Sequence, residues 1–592
     1  MNDMSKQIET PPTLTAGGAV FSRLKALGVE YVFANSGTDF PPIIEGLAEA
    51  AAQGLGLPRA VVIPHEHAAF GMAHGHYLAS GQPQAVMLHT NVGLSNGATG
   101  AINAACDQIP VIIMSGRTPV TEQGRFGART VPIGWGQEMR DQTALVREVC
   151  KWDYELRFPE QTAELLDRAF AIAHSTPKGP VYLSLPRETL CEPCPQAGLQ
   201  DKPRMQPVRP SPEPAALVAA ARLLAGAQRP LVIAQRGVGD AAQFAAFADF
   251  ALRHALPVCQ YWANQLALPI GHDMQNGMDP HRALAEADVV LVVNSLAPWS
   301  PDRVKLRDDC QVVQLGPDPL FARFPVRHFR ADIALQGETG AALAALMAAV
   351  DALAVDGAPN QATETRREKI REQSVVQRDA VARQAQAGQG DGGPMSKEWV
   401  SLCLGQAIAA QAALGRSSAV LSELGCPLAP LGLAAHNSWF QEPHSGGLGW
   451  CLPAALGFQL ARPEHLVFAT MGDGSYMFAN PTACHQIGEA MALPVVTLIL
   501  NNEEWGAVRQ SVAGLYPNGH AAHAATMPLT ALQPSPDFAL TAQASRAHAV
   551  TVRSGADLPA ALARAIAVAT GANGDAPRQV VLNIAIAKQA AH

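Results

Sequence analysis

The stretch with the most evident chemistry lies toward the carboxyl end, where an apolar run, Leu466–Ala469, leads into Gly472-Asp473-Gly474-Ser475. Twenty-six residues separate that triplet from Asn501-Asn502, which follows the apolar run Val495–Leu500. Two strand ends finishing in Asp and Asn offer hard oxygen donors of the kind Mg²⁺ takes. Gly474 lets the backbone approach an anionic group, and free amides with the Ser475 hydroxyl can meet phosphate oxygens. Asn480-Pro481 reads as a helix start, an N-cap residue followed by proline at the first helical position. A lone glycine-flanked aspartate also makes ordinary turns. With the Asn pair, and with strand, turn, helix and strand around both, the pattern points to a cation bridging a bound diphosphate.

Such loops need a scaffold, and the chain offers the same one three times. In the first block, Tyr31–Phe33, Ala60–Ile63, Ala85–Leu88, Val111–Met114 and Val181–Leu183 are short apolar runs separated by helical stretches. The second block repeats this at Leu231–Ala234, Val289–Val293 and Val312–Leu315, and the third at Ala419–Leu421, Val467–Ala469, Val495–Leu500 and Val580–Ile584. Apolar strands between amphipathic helices mean parallel sheets covered on both faces. The fold class is therefore α/β, with three doubly wound parallel-sheet domains, and ligands are expected beyond the carboxyl ends of their strands. The expected domains are 12–190, 214–352 and 398–592. They are joined by a proline-rich linker, 191–213, and an Arg-, Gln- and Gly-containing linker, 353–397.

Composition narrows the function classes. The 592 residues exceed what one hydrophobic core supports, and 43 Lys and Arg against 51 Asp and Glu leave a net charge of −8. No basic surface is on offer to nucleic-acid phosphates, so no nucleic-acid partner is expected. A charged fraction of only 16 % excludes general disorder and suits a core-rich oligomeric enzyme. The polar lead-in carries no signal-like apolar run, and no apolar stretch approaches bilayer length, so a cytoplasmic chain without membrane association is expected. Of ten scattered cysteines only Cys191 and Cys194 form a CxxC pair; without a second pair at zinc spacing, they read as linker residues.

The segment from Gly472 to Asn502 resembles the cofactor motif of thiamine diphosphate (ThDP) enzymes. That resemblance implies Mg²⁺ held by Asp473, Asn502 and the backbone carbonyl of Glu504, with Gly472, Gly474 and Ser475 around the diphosphate. It also implies a carboxylate in the first domain that protonates the aminopyrimidine. Strand Ala60–Ile63 runs into Pro64-His65-Glu66-His67, which makes Glu66 that residue. Ser445-Gly446-Gly447-Leu448-Gly449-Trp450 is similar to the family's GGLG stretch, with Leu448 wedged between the cofactor rings and the Gly446 carbonyl facing the pyrimidine amino group. The three domains would then be pyrimidine-binding, central and diphosphate-binding, in a homodimer or homotetramer with active sites at the subunit interface.

Within that family several segments resemble benzoylformate decarboxylases. These are the stretch ending Asn35-Ser36-Gly37-Thr38-Asp39-Phe40, the strand end Leu88-His89-Thr90 with Gly93 and Asn96, and Pro269-Ile270-Gly271-His272 with Gly277. The resemblance implies catalytic roles for Thr38, His89 and His272, and decarboxylation of a small 2-oxo acid, with carboligation as a possible second outcome. His65, His67, His74 and His76 are expected to be mostly structural. Gly134-Trp135-Gly136-Gln137-Glu138 instead looks like an acetolactate synthase loop, and Ser511 stands where those synthases carry tryptophan. A transferase of that type is the alternative, and a silent cofactor-binding or regulatory subunit is the second. Gln235-Arg236-Gly237-Val238-Gly239 could pass for a weak phosphate loop, but FAD is not expected.

Overall fold

The computed structural model describes residues 13–353, 361–572 and 574–588. The expected start of the first domain at residue 12, the polar lead-in before it, residues 354–360 of the second linker and the last residues of the third domain lie outside these. The chain divides into two compact units, Met1–Val208 with His444–Gly447, and Arg209–Pro443 with Leu448–His592.

The first unit is built on a six-stranded sheet ordered Arg59–Val62, Tyr31–Ala34, Ala85–Leu88, Ile112–Arg117, Val181–Pro186, Asp153–Glu155. Every pairing is parallel. Strand periodicity sends Val32, Met87, Ile112, Met114 and Leu183 to one face, where Leu24, Leu166 and Ala169 pack on them. On the other face the helices Glu66–Ser80 and Thr90–Cys106 cross closely, because Gly97 and Gly100 leave room for the Phe70 ring.

The second unit carries two further parallel sheets. One is five-stranded, ordered Val258–Cys259, Pro230–Ala234, Val289–Val293, Gln311–Gly316, Ile333–Gln336. The other is six-stranded, ordered Trp439–Gln441, Ser418–Glu423, Leu466–Gly472, Val496–Asn501, Val580–Ala585, His548–Val552. Three doubly wound parallel-sheet α/β domains are thus what the chain forms.

Both linkers are more ordered than their composition suggests. In the first, Pro193–Pro195 pairs antiparallel with Thr13–Thr15, and Cys191 and Cys194 are free thiols pushed up from their ordinary pKa by burial. In the second, Gln361–Ala387 is a 27-residue helix. Its Arg366 donates to the carbonyls of Ala227, His254 and Ala255, and Arg367 to those of Leu252 and Arg253. Guanidinium groups thus satisfy the open carbonyls around the end of helix Ala241–Arg253, a use of arginine that low hydropathy conceals. Among the described residues no helix is long and apolar enough to cross a membrane.

Candidate active site

In the first unit the groups that could move protons gather beyond the strand ends. Glu66 opens helix Glu66–Ser80 and is half-buried; its Oε2 accepts from the Asn96 amide, and Gly93 lies against its Oε1. His89 precedes helix Thr90–Cys106. Its Nδ1 is paired with the Asp39 carboxylate, and its Nε2 lies 3.1 Å from the Gln137 amide nitrogen. The hydrogen bond that Asp39 accepts from it raises the imidazole pKa above 6.5, against partial burial that acts to lower it. Two glycines make the pairing possible. A Cβ on Gly37 would stand 2.1 Å from His89 Nδ1, and one on Gly116 would stand 1.5 Å from Asp39 Oδ2.

Thr38, Asp39, His89, Gln137, Arg129 and Arg187 border one small cleft, so Thr38 and His89 do come together. Arg187 donates to the Thr38 carbonyl at 3.3 Å and to the carbonyls of Gly127 and Ala128. Thr90, next to His89, has φ 45°, a left-handed conformation uncommon for a β-branched residue and a form of strain that clusters at functional sites. Of the neighbouring histidines, His67, His74 and His76 are buried, and burial alone pushes His74 down to about 3. Ser445 and Gly447 lie on helix Thr90–Cys106, where Asn103 accepts from the Ser445 hydroxyl and donates to the Gly447 carbonyl at 2.9 Å. Gly446 between them has φ 72°.

In the second unit a cavity of about 750 Å³ is walled in part by Leu448, Gly472, Asp473, Gly474, Ser475, Asn502 and Glu504. Strand Leu466–Gly472 ends where Asp473 begins a short helix, Asp473–Phe478, so the aspartate occupies a helical turn rather than a loop. The next helix, Pro481–Ala490, has proline at its start as expected. Asn480 adopts φ 51° and makes no side-chain cap, so its value there is tolerance of the left-handed turn between two helices. Asp473 is buried, and desolvation pushes its carboxyl up to about 6 although backbone N–H groups of Gly474 and Glu503 oppose the shift. A Cβ on Gly474 would lie 2.2 Å from the Trp505 ring. Asn502 Oδ1 accepts from the Glu504 N–H at 3.2 Å, and the Glu504 carbonyl accepts from Gly506 at 2.9 Å, leaving it a second lone pair.

His272 lies elsewhere in this unit. It is not in that cavity wall; its Nδ1 accepts from the Met274 N–H, its carbonyl receives Ser374 and Arg378 of helix Gln361–Ala387, and burial lowers its pKa.

Three residues escaped the sequence reading. Asp39 follows Thr38 directly, and a carboxylate one strand away from His89 in a parallel sheet was a usable signal. Gln137 was read only as part of a loop. Glu423, the last residue of strand Ser418–Glu423, is wholly buried and accepts from Gly449 N–H at 2.6 Å and Cys451 N–H at 2.8 Å. Nothing local in the sequence marks it.

The donor chemistry suits Mg²⁺ and a diphosphate. A buried carboxylate met only by backbone N–H groups, a carboxamide and an outward carbonyl form a hard-oxygen set, and the wall also holds a buried Glu504 Oε1 without a hydrogen-bond partner among the described residues. Among those residues no cluster of three or more His, Cys, Asp or Glu side chains could hold a metal ion by itself.

Comparison with known proteins leads to the same chemistry. Family models match at residues 14–145 (thiamine pyrophosphate enzyme, N-terminal TPP binding domain), 217–346 (central domain) and 427–581 (C-terminal TPP binding domain). Together they cover more than half of the chain, which belongs to the thiamine diphosphate-dependent enzymes. A Pseudomonas aeruginosa protein named "Probable 2-ketoarginine decarboxylase" is 29% identical over 556 residues, covering 92% of this chain and 90% of its own. Benzoylformate decarboxylase of the same species is 27% identical over 511 residues, 84% and 87% of the two chains. The structure of a 4-hydroxybenzoylformate decarboxylase from Rhodococcus jostii superposes with a TM-score of 0.74 at 21% identity, covering 97% of this chain and 99% of that one, and shares its fold.

Proposed function

We propose that this enzyme is a ThDP- and Mg²⁺-dependent carboxy-lyase that decarboxylates a small 2-oxo acid, in the manner of benzoylformate decarboxylases, with carboligation as a side reaction. The observation that carries this reading is the Asp39–His89 pair, an imidazole with a raised pKa set in the same unit as Glu66. Decarboxylation ends by placing a proton on carbon, and an imidazole whose carboxylate partner favours its protonated form is suited to deliver it.

ThDP, when bound, supplies a carbon nucleophile and an electron sink for CO₂ loss. The remaining tasks fall to the chain's own residues. Asp473, Asn502 and the Glu504 carbonyl hold Mg²⁺, while Gly472, Gly474 and Ser475 frame the diphosphate. Leu448 would support the cofactor rings, and the Gly446 carbonyl would accept from the pyrimidine amino group. Glu66 holds the proton at the pyrimidine nitrogen, its orientation set by Asn96. His89 and Thr38 meet the 2-oxo acid, and Asp39 keeps His89 in one orientation. His272, with its Nδ1 held by the Met274 N–H, would be the second histidine toward the 2-oxo acid. The functional unit is a homodimer or homotetramer in the cytoplasm; exposed Val92 and Ile102 on helix Thr90–Cys106 suit a buried contact between copies.

The second reading is an acetolactate synthase-type transferase, favoured by Gln137 of the synthase-like loop lying beside His89. One experiment decides between them. The purified chain is given ThDP, Mg²⁺ and a panel of 2-oxo acids with aryl, aliphatic and guanidinoalkyl side chains, and CO₂, aldehyde and ketol are measured. Aldehyde in step with CO₂ supports the lyase; ketol with little aldehyde replaces it by the transferase; no product with any acid leaves a silent subunit.

A further inference from the structure

The second unit contains a buried carboxylate that none of these tasks uses. Glu423 ends strand Ser418–Glu423, paired with Met471 of the strand that leads to Asp473, and it has no exposure to solvent. Its two oxygens accept separately, Oε1 from Gly449 N–H and Oε2 from Cys451 N–H. Burial pushes its carboxyl up to about 7, although the N–H groups of Gly449, Cys451 and Trp450 and the Ser475 hydroxyl oppose the shift. One carboxylate therefore fastens both sides of the turn that follows Leu448.

The neighbouring backbone leaves little freedom. Gly449 has φ 88° and a Cβ there would stand 2.5 Å from the Phe478 carbonyl, at the far end of the Asp473 helix. Beyond Glu423, Gly425 is pressed on Thr470, where a Cβ would lie 2.4 Å from the backbone. Leu448 is the residue immediately before this fastened turn, and it lines the same cavity as Asp473, Ser475 and Asn502.

We propose that Glu423 is a positioning residue that fixes the turn behind Leu448, so that this side chain is held where the cofactor rings need support while the diphosphate site stands without it. This rests on the reading of Leu448 as the support for the ThDP rings. Glutamine is the informative replacement: it keeps size and one acceptor, but turns an NH₂ toward one backbone N–H and leaves that donor unsatisfied. Aspartate keeps the charge but falls a methylene short of spanning both donors.

The test uses the full-length chain, with calorimetric affinities for Mg²⁺–ThDP and for Mg²⁺–pyrophosphate, which carries the diphosphate chemistry without rings. Glu423→Gln and Leu448→Ala should each weaken Mg²⁺–ThDP about tenfold or more and leave Mg²⁺–pyrophosphate within about threefold. The double variant should bind ThDP no more than about threefold worse than the weaker single one, because both changes remove the same support. Multiplicative losses in the double variant, parent-like ThDP binding by Glu423→Gln, or equal loss of pyrophosphate would each overturn the assignment. If the glutamine variant does not fold, Glu423→Asp replaces it in the same cycle under the same criteria. Failure of the parent itself to bind ThDP would instead remove the functional reading on which the proposal rests.

Discussion

The first and third sheets have the same plan and use it for different chemistry. Numbered within each domain, both run 2-1-3-4-6-5, and both therefore open a crevice between their first and third strands at the carboxyl edge. In the first, the groups there are partly exposed and bound to other side chains: Glu66 to Asn96, and His89 to Asp39 and Gln137. In the third, they are buried and bound to backbone N–H groups: Asp473 to Gly474, and Glu423 to Gly449 and Cys451. The contrast has physical content. A carboxylate partner such as Asp39 tunes the ionisation of its neighbour, and a carboxamide such as Asn96 or Gln137 orients it, whereas a backbone N–H only donates. One sheet is equipped to handle protons and its counterpart to hold charge.

If that division is right, changes in the third sheet remove affinity and changes in the first remove rate. The largest effect expected is that of Asp473→Ala. With its carboxylate gone, the proposed Mg²⁺ site loses its one charged side-chain ligand, and ThDP retention should be abolished. A ligand at a hundred times its dissociation constant stabilises by about 2.7 kcal/mol, and that gain should disappear from thermal unfolding in the variant. A full ThDP-dependent shift in the variant would break the comparison at its strongest point.

Glu66→Gln should do the reverse. Glutamine keeps a hydrogen bond to Asn96 but cannot pass a proton, so turnover should fall by about 10³–10⁴, toward the upper end of what a positioned acid–base group contributes. ThDP-dependent stabilisation should stay close to that of the parent. Mixing this variant with Asp473→Ala under subunit exchange should restore part of the activity if each site draws one sheet from each of two copies. Hybrid dimers without recovery would show that a single chain supplies both.

The sequence exposed these two edges unequally. The buried inner strands were legible because both faces are covered, giving continuous apolar runs such as Val289–Val293 and Val580–Ala585. Seven strands among the described residues carry no such run: the two-stranded pair Thr13–Thr15 and Pro193–Pro195, and Asp153–Glu155, Val258–Cys259, Ile333–Gln336, Trp439–Gln441 and His548–Val552; every one is a sheet edge. Edge strands are short or face solvent on one side, so they lack the run that betrays their neighbours. The site followed the same logic. Asp473, Asn502, Glu66 and His89 sit next to apolar runs and could be found from spacing. Asp39 and Glu423 act through partners 50 and 26 to 28 residues away, which only the folded sheet brings together. The arginines of the second linker were opaque for a related reason, since their partners are carbonyls that every residue has.

His89→Ala should have a smaller effect than Glu66→Gln, roughly 10²–10³ on aldehyde release, with ThDP affinity unchanged because no candidate cofactor ligand is altered. If the variant instead loses ThDP, His89 belongs with the holding groups, and the division between the two sheets fails. A shift of product from aldehyde toward ketol would sharpen it, since an intermediate no longer protonated on time is left to attack a second carbonyl.

The smallest effect expected is on the ionisation of His89 when its partner is neutralised. In the parent, the Asp39 hydrogen bond raises this imidazole above its ordinary 6.5, and burial acts in the opposite direction. Asp39→Asn keeps the shape and a polar contact but removes the negative charge, so the lowering influence of burial is left to dominate. The His89 ionisation, followed by NMR or as one limb of the pH–rate profile, should move down. The sign for stability follows from a folded-state pKa that is raised. The pair's contribution is fully present below about pH 6.5, where the unfolded imidazole is also protonated, and is lost as pH rises through the higher folded value. The parent should therefore outlast Asp39→Asn by the widest margin on the acid side of that window, with the two melting curves converging as the solution becomes alkaline. Gly116→Ala offers an independent check, because its methyl group would displace Asp39 without touching charge. It should lower the His89 ionisation in the same direction. An unchanged ionisation in both variants would mean that Asp39 does not tune His89, and the first sheet would lose the feature that sets it apart from the third.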